Sequence, residues 1–445
     1  MRTIYENATA VFAWLGRNQS FGDWVASVQS ESTESADEDQ RLLIWDVITS
    51  PLWRRGWIQQ ELVVGREVYM MSQKGFVNVH KLNICLEMLR KTEVAGSLFQ
   101  WDGSCRTYPA TSLLQARKTW KGPEDVSLLS WLSRGGSLAL TDPRDFVFAF
   151  IGLADPAYSV TPDYLKSCGE VFEDAARKII KHDRSLNILA LVNFTESWAR
   201  VVKDLPSWTP DWSRLASSEI SAHYNINYMP STGLYKPGTD LPPFRAAGSL
   251  LHDQSEFHHE GFKLTVQGLR IAGIDTSSLL RDDALYLVMD GIEEACKRFR
   301  TANISQAQFP SLREACLNQH RTTDPARDPG LRAAYEWSHA YISARTQKFQ
   351  HRSSWYWLKQ YFLEQGDSGW RTFRSAIGFD GLIHKDAQIG DSIYILFGCN
   401  VPLVLRPKGP NYELVGQAFI NGLMYGEAIE MMIRGKLVTE TIQLV

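Results

Sequence analysis

The segment from Ser50 to Gly65, SPLWRRGWIQQELVVG, sets one carboxylate, Glu61, in register with two indoles. An α-helix turns about 100° per residue, so residues four apart share a face. Read as one continuous helix, the segment puts Trp53, Trp57 and Glu61 in a row, with Arg54 beside it and Ile58 and Leu62 facing the core. Ser50 is a good N-cap, Pro51 suits the first helical position and Gly65 a stop. A carboxylate beside a flat aromatic wall suits a planar ring and a developing positive charge. Cleavage of a sugar–base bond passes through such an oxocarbenium-like state, which a carboxylate stabilises. The alternative is a structural Glu–Arg pair. In that reading Arg54 or Arg55 offsets the cost of an anion in the last helical turn, where the dipole disfavours it.

Other residues compete for a chemical role. Asp142, Arg144 and Asp145 in TDPRD suit either a phosphate site or the bracing of a helix start, the second being the simpler use of a cap. His258-His259 precedes Glu260, but no second ligand set stands at metal spacing, so no metal is expected. Cys399 in FGCNVP reads as a buried thiol, with a nucleophile serving a distant histidine as the alternative. No G-x-G-x-x-G, Walker A or G-x-S-x-G pattern occurs, which argues against those phosphate loops and the hydrolase elbow.

These residues need elements to hold them. IYENATAVFAWLG reads as the tail of a helix running into a buried strand, Val11 to Leu15, closed by Gly16. An interior strand needs a pairing partner, so an N-terminal piece is expected before it. Phe21 to Val28 is amphipathic, QSESTESADED (29–39) reads as a solvated loop, and Leu42 to Ile48 has a helical period. EVYMMS (67–72) reads as a strand; Val79 to Leu89 and Val126 to Leu132 read as helices. TDPRDFVFAFIGLAD (141–155) is a capped apolar helix ending at Gly152, and Tyr164 to Ile180 an amphipathic one. LPSWTPDWS (205–213) is a turn-rich ordered loop. Residues 229–260 mark a boundary, 298–350 form a polar helical stretch, and SWYWLKQYF (354–362) reads as packed core. KLTVQGLRIAGI (263–274) and the end from Ile389, with DSIYILFG, VPLVLRP and YELVGQAF, are β-rich.

At 445 residues the chain exceeds one compact core. Its 44% hydrophobic and 22% charged content is that of an ordinary globular protein. Fifteen tryptophans are many, and core packing is the simplest use of them. A formal net charge of −3 gives no electrostatic argument for nucleic acid, which usually needs a basic face or stripe. No apolar run reaches the roughly 20 residues of a membrane span, and the first residues carry no secretory pattern. Six scattered cysteines without a C-x-x-C pair fit reduced thiols in the cytoplasm.

Six segments, taken in order, resemble the fungal heterokaryon-incompatibility (HET) domain family: MRTIYENATAVFAWLG, SPLWRRGWIQQELVVG, TDPRDFVFAFIGLAD, PDYLKSCGEVF, LPSWTPDWS, and the C-terminal GDSIYILFGCNVPLVLRP with YELVGQAFINGLMYGEA. Family members carry, upstream of the first segment, a (S/T)Y-x-WG pattern and a CINQ-like motif. Neither is found, so the resemblance implies a HET domain lacking its N-terminal part. It also implies a role in non-self recognition, with programmed cell death on fusion of incompatible strains, and a protein partner or self-association. The HET domain has been proposed as a distant relative of TIR domains, some of which cleave NAD with the glutamate of a W-x-x-x-E arrangement. Trp57-Ile58-Gln59-Gln60-Glu61 has that form. The resemblance then casts Glu61 as catalytic carboxylate, Trp57 as stacking wall, Arg54 as phosphate or carboxylate partner, and NAD as substrate. The expected fold is α/β, a truncated TIR-like doubly wound domain over 1–155. A helical and loop region (156–260) and a mixed α+β C-terminal region (261–445) follow.

Overall fold

The computed structural model describes residues 2–17, 19–29, 43–44, 46–90, 108–120, 122, 127–132, 138–192, 202, 204–215, 246–248, 250, 262–275, 370–375, 379–420, 423 and 426–445. His258, His259, Glu260, the acidic run after Gln29, the 298–350 stretch, SWYWLKQYF, Cys105, Cys296 and Cys316 lie outside them. Helices and sheets are mixed throughout. The chain divides into two compact units, Met1–Lys178 with Trp212–Tyr224, and Ile179–Asp211 with Asn225–Val445.

The first unit holds a three-stranded sheet in the order β1 (Val11–Trp14), β2 (Val68–Ser72), β3 (Gly75–Asn78). β1 and β2 run parallel, Val11 opposite Val68, and β2 turns back antiparallel into β3, Met70 opposite Val77. A parallel pair needs a crossover. Here it includes α2 (Gln19–Gln29), a 3₁₀ turn (Pro51–Arg54) and α3 (Ile58–Val64). α1 (Arg2–Asn7) precedes β1; α4 (Val79–Arg90), α5 (Tyr108–Thr119), α6 (Leu128–Leu132), α7 (Asp145–Ile151), α8 (Cys168–Asp183) and the short α9 (Trp212–Leu215) follow β3. β1 is not buried on both faces as its composition suggests. Val11 and Ala13 point inward, while Phe12 and Trp14 stay 49% and 44% exposed. Phe12 stacks on Tyr69 at 5.3 Å and meets Phe76 edge-on at 5.4 Å, so the outer face carries a cross-strand aromatic cluster.

α8 starts at Cys168, later than its amphipathic period suggests. Ser167 and Glu170 form a capping box: the Glu170 N–H donates to Ser167 Oγ (3.2 Å) and the Ser167 N–H to Glu170 Oε2 (2.7 Å). The Ser167 backbone N–H first, and then the Ser167 side chain, hold the Glu170 carboxyl below its usual range.

In the second unit the strand order is β10 (Thr439–Leu444), β4 (Leu264–Gly273), β7 (Ser392–Leu396), β8 (Leu403–Lys408), β9 (Asn411–Ile420), β6 (Asp380–His384), β5 (Trp370–Arg374). β10 also pairs with β9 at Leu444 opposite Tyr412, so five strands close into a ring. Closure requires bent strands. Register shifts supply the bends, with Ile271 the extra residue on β4 and Val415 the extra residue on β9. Gly409, at φ +61°, makes the two-residue β8–β9 turn. Leu269, Ile271, Ile383, Ile393, Ile395, Val404 and Val415 fill a core that α10 (Glu427–Ile433) covers through Ala428 and Ile429. The LPSWTP loop is buried, not merely ordered. The Ser207 N–H donates to the Val445 carbonyl (2.9 Å), Ser207 Oγ accepts the Leu414 N–H (3.0 Å), and the Trp208 indole donates to the Phe262 carbonyl (2.9 Å). Full burial of a side chain as large as Trp208 contributes roughly 1.5–3 kcal/mol or more.

His384 on β6 is 1% exposed and packs over Gly416 of β9, where a Cβ would stand 2.7 Å from its Cδ2. Burial first, then the positive charges of Lys385 and Arg406, lower its pKa to about 3, despite the Asp386 carboxylate 3.9 Å from Nδ1. As pH falls, the unfolded chain therefore takes up this proton first. The stability from neutral His384 is complete above about pH 6.5 and drains by up to about 1.4 kcal/mol per pH unit towards the folded value. Urea midpoints between pH 7 and 4 should show this slope, and His384→Leu should flatten it by one proton's worth. An unchanged slope in the variant would mean that His384 is not buried neutral.

Candidate functional site

The SPLWRRGWIQQELVVG segment does not form one helix. Ser50 Oγ accepts the Leu52 N–H (3.3 Å) and Pro51 follows as expected, but they open only the 3₁₀ turn. Arg55 then runs extended and bridges Ala139 in parallel, with the Ala139 N–H on the Arg54 carbonyl at 2.6 Å. Gly56 lies so close to Leu140 that a Cβ would stand 2.3 Å from Leu140 Cδ2. The helix restarts after Trp57, which is the N-cap of α3, and Glu61 falls in its first turn rather than its last. The row of two indoles is thereby broken, and the dipole no longer disfavours Glu61.

The former row now serves several purposes. Trp53 is buried and donates its indole N–H to the Val47 carbonyl at 2.7 Å. Arg54 is half-buried and lends its carbonyl to the Ala139 bridge. Trp57, half-buried, donates to Asp145 Oδ2 at 3.3 Å. Gln60, buried, donates to the Ala149 carbonyl (2.9 Å) in α7. A Cβ at Gly152 would stand 2.7 Å from Gln60 Oε1, which accounts for the glycine after α7. Glu61 is half-buried and accepts a hydrogen bond from the Tyr5 hydroxyl. Burial, then the charge of Glu61 and this hydrogen bond, raise the Tyr5 pKa, while Arg55 nearby opposes them. Among the described residues Glu61 makes no ion pair, so the expected pairing with Arg54 or Arg55 is not formed.

The TDPRD residues brace the start of α7 as the simpler reading holds, but they do not cap it: the N-cap position is Arg144, with no side-chain cap hydrogen bond. Arg144 grips Asp142 through Nε–Oδ1 (3.0 Å) and Nη2–Oδ2 (2.7 Å), keeping the Asp142 carboxyl below its ordinary range. Its Nη1 donates to the carbonyls of Tyr164 (2.6 Å) and Lys166 (3.0 Å), and the guanidinium lies 5.1 Å over the Tyr164 ring. Asp145 Oδ1 accepts the Tyr164 hydroxyl at 2.5 Å. Partial burial, then the Asp145 bond and charge, push the Tyr164 phenol up to about 12. At the other end of α3, Arg117 donates to the carbonyls of Leu62 (2.6 Å), Gly65 (2.5 Å) and Arg66 (3.0 Å), which the helix itself leaves unpaired.

Trp57, Gln60, Arg144, Asp145 and Tyr164 are thus committed to one another or to backbone, and Glu61 keeps only a neutral donor. Tyr5, Gln60, Tyr164 and Arg117 escaped the sequence reading. The first three stand inside the segments carrying the family resemblance, a signal that could have found them, whereas nothing local marks Arg117. Cys399 is wholly buried and its thiol is pushed up to about 12, which bears out the buried-thiol reading. Cys85 and Cys168 are also free. No group of three His, Cys, Asp or Glu side chains able to hold a metal occurs among the described residues.

Comparison with known proteins bears out the family resemblance. The chain is similar to a fungal heterokaryon incompatibility protein. That relative, heterokaryon incompatibility protein 6, OR allele, of Neurospora crassa, is 26% identical over 339 residues, covering 65% of this chain and 49% of its own length. The chain therefore spans about half the length of that curated relative. No family model matches the chain, and no solved structure matches it.

If the Asp145 bridge holds these segments, Asp145→Ala should destabilise the chain by about 1–2 kcal/mol, the net worth of two partly exposed hydrogen bonds to a charged acceptor. Urea unfolding reads the loss, and spectrophotometric titration should find the Tyr164 phenol moved down towards its ordinary value. A wild-type midpoint with an unmoved phenol would dismiss the bridge.

Proposed function

We propose that the chain acts in fungal non-self recognition, as a signalling and interaction protein of the incompatibility response linked to cell death. The observation supporting this is the joining of WIQQEL, TDPRDFVFAFIGL and PDYLKSCGEVF through Trp57, Gln60, Arg144, Asp145 and Tyr164. Side chains committed to one another preserve a surface more readily than they turn over a substrate. The relative named for heterokaryon incompatibility supports the biological setting. In this reading the partner is a protein or a second copy of the chain, and the work is done in the cytoplasm. No helix among the described residues is long and apolar enough to cross a membrane. The test is to fuse strains carrying different forms of this chain and follow vital-dye uptake. Fused compartments should die, and Asp145→Ala should abolish most of the killing. Equal survival with and without the chain would overturn the proposal.

A second reading is NAD cleavage on a TIR-like domain. Its support is Glu61 itself: half-buried, unpaired with a cation among the described residues, hydrogen-bonded by neutral Tyr5 and following Trp57 by four residues. The parallel β1–β2 pair with its helical crossover supports the α/β part of this reading. Glu61 would stabilise the oxocarbenium-like state, Trp57 would bound the ring and Arg54 would meet a phosphate or carboxylate. Nicotinamide release from NAD by the purified chain should be lost in Glu61→Gln, which keeps the shape and removes the charge. No release from either protein, both folded, eliminates this reading and leaves the first untouched.

A further inference from the structure

The second unit contains a cleft of about 340 Å³ where β4 ends and β7 begins, lined among others by Arg270, Gly273, Asp275, Ser375, Asp391 and Ser392. That volume is at the lower end for small-molecule sites, roughly 300–1,000 Å³. The β4 register explains how the arginine reaches it. Arg270 stands opposite Tyr394 and Gly273 opposite Ser392, but the shift between Arg270 and Ala272 leaves Ile271 as an extra residue. Such a bulge re-aims the side chain beside it. The Arg270 guanidinium accordingly reaches Ser392, Nη2 donating to Oγ at 3.2 Å. Gly273 leaves room for both: a Cβ there would stand 3.5 Å from Arg270 Nη2 and 4.0 Å from Ser392 Oγ.

The donors outnumber the acceptors. Arg270 is exposed and has no carboxylate partner among the described residues. Ser392 Oγ accepts from Arg270, and buried Ser375 Oγ accepts the Phe379 N–H at 2.8 Å, so both hydroxyl protons are left to be given. Asp391 does not neutralise Arg270. Its oxygens are taken by Arg406 Nε (3.0 Å) and Nη2 (3.1 Å) and by the Gln388 N–H (2.8 Å). Asp275 has an interaction of its own. A guanidinium with two further hydroxyl donors can supply the several hydrogen bonds that the oxygens of a phosphate group accept.

We propose that this cleft binds the phosphate group of a small phosphomonoester, held by Arg270, Ser375 and Ser392 over the open floor at Gly273. The site is separate from the Glu61 segment, and its test does not depend on the function assigned there.

The probe is inorganic phosphate with the intact chain, followed by ³¹P line broadening and thermal stability, with chloride at equal ionic strength as control. Phosphate should bind saturably and chloride should not. Arg270→Gln should weaken binding by about tenfold or more, the loss of one charge-assisted hydrogen bond. Gly273→Ala is the variant that guards against misfolding. Its methyl meets neighbours only at van der Waals distance, so stability without phosphate should stay at wild type while binding falls. Phosphate binding that survives both substitutions, or is equalled by chloride, overturns the proposal. A phosphoserine peptide binding far more tightly than free phosphoserine would also overturn it, because the ligand would then be a phosphoprotein.

Discussion

One carboxylate, Asp145, fixes the geometry on which the first unit turns. Its two oxygens accept from Trp57 and from Tyr164, side chains 88 and 19 residues away in sequence. Because one acceptor serves both, the start of α7, the start of α3 and the loop before α8 are set together. Charged acceptors make shorter and stronger hydrogen bonds than neutral ones. Arg144 secures the same junction from behind, binding Asp142, two loop carbonyls and the Tyr164 ring.

α3 shows how far tertiary contacts outweigh local preference. Seven residues do not make a stable isolated helix. Its first turn is held by the Trp57 bond to Asp145, its middle by Gln60 on α7, and its last carbonyls by Arg117 of α5. With both ends fastened from outside, Glu61 can stand half-open beside Tyr5 without a partner of opposite charge among the described residues. The acidic residue is thus placed by the frame around it.

Much of this frame was legible in the residues. β2, α2, α4 and α7 follow their periodicity, and β4, β7, β8 and β9 their β-branched and aromatic content. Gly65 and Gly152 end α3 and α7 as expected, though neither takes the left-handed conformation, whereas Ser50 and Pro51 open a 3₁₀ turn in place of the expected helix. What failed was non-local. The break at Arg55 is caused by Ala139, and no spacing rule within SPLWRRGWIQQELVVG reveals a strand partner that distant. β1 looked fully buried because its residues are all apolar, yet an aromatic cluster with Tyr69 and Phe76 occupies its outer face. β3 and β6 are short and are defined by pairing with β2 and β9, and β5 is defined by pairing with β6. The Ser167–Glu170 box was readable and would have moved the α8 start to Cys168.

The ring in the second unit also says something about how the chain is made. Leu264 on β4 pairs with Leu444 on β10, and β10 in turn meets β9, so the ring has no closing partner until β10 has been synthesised. Contacts so distant in sequence carry a large loop-closure cost and form late. On the ribosome β4 must therefore wait with one edge unpaired, a state prone to pairing with another nascent chain. The vulnerable period of this protein is accordingly its birth, and the rate at which β10 arrives sets how long that period lasts.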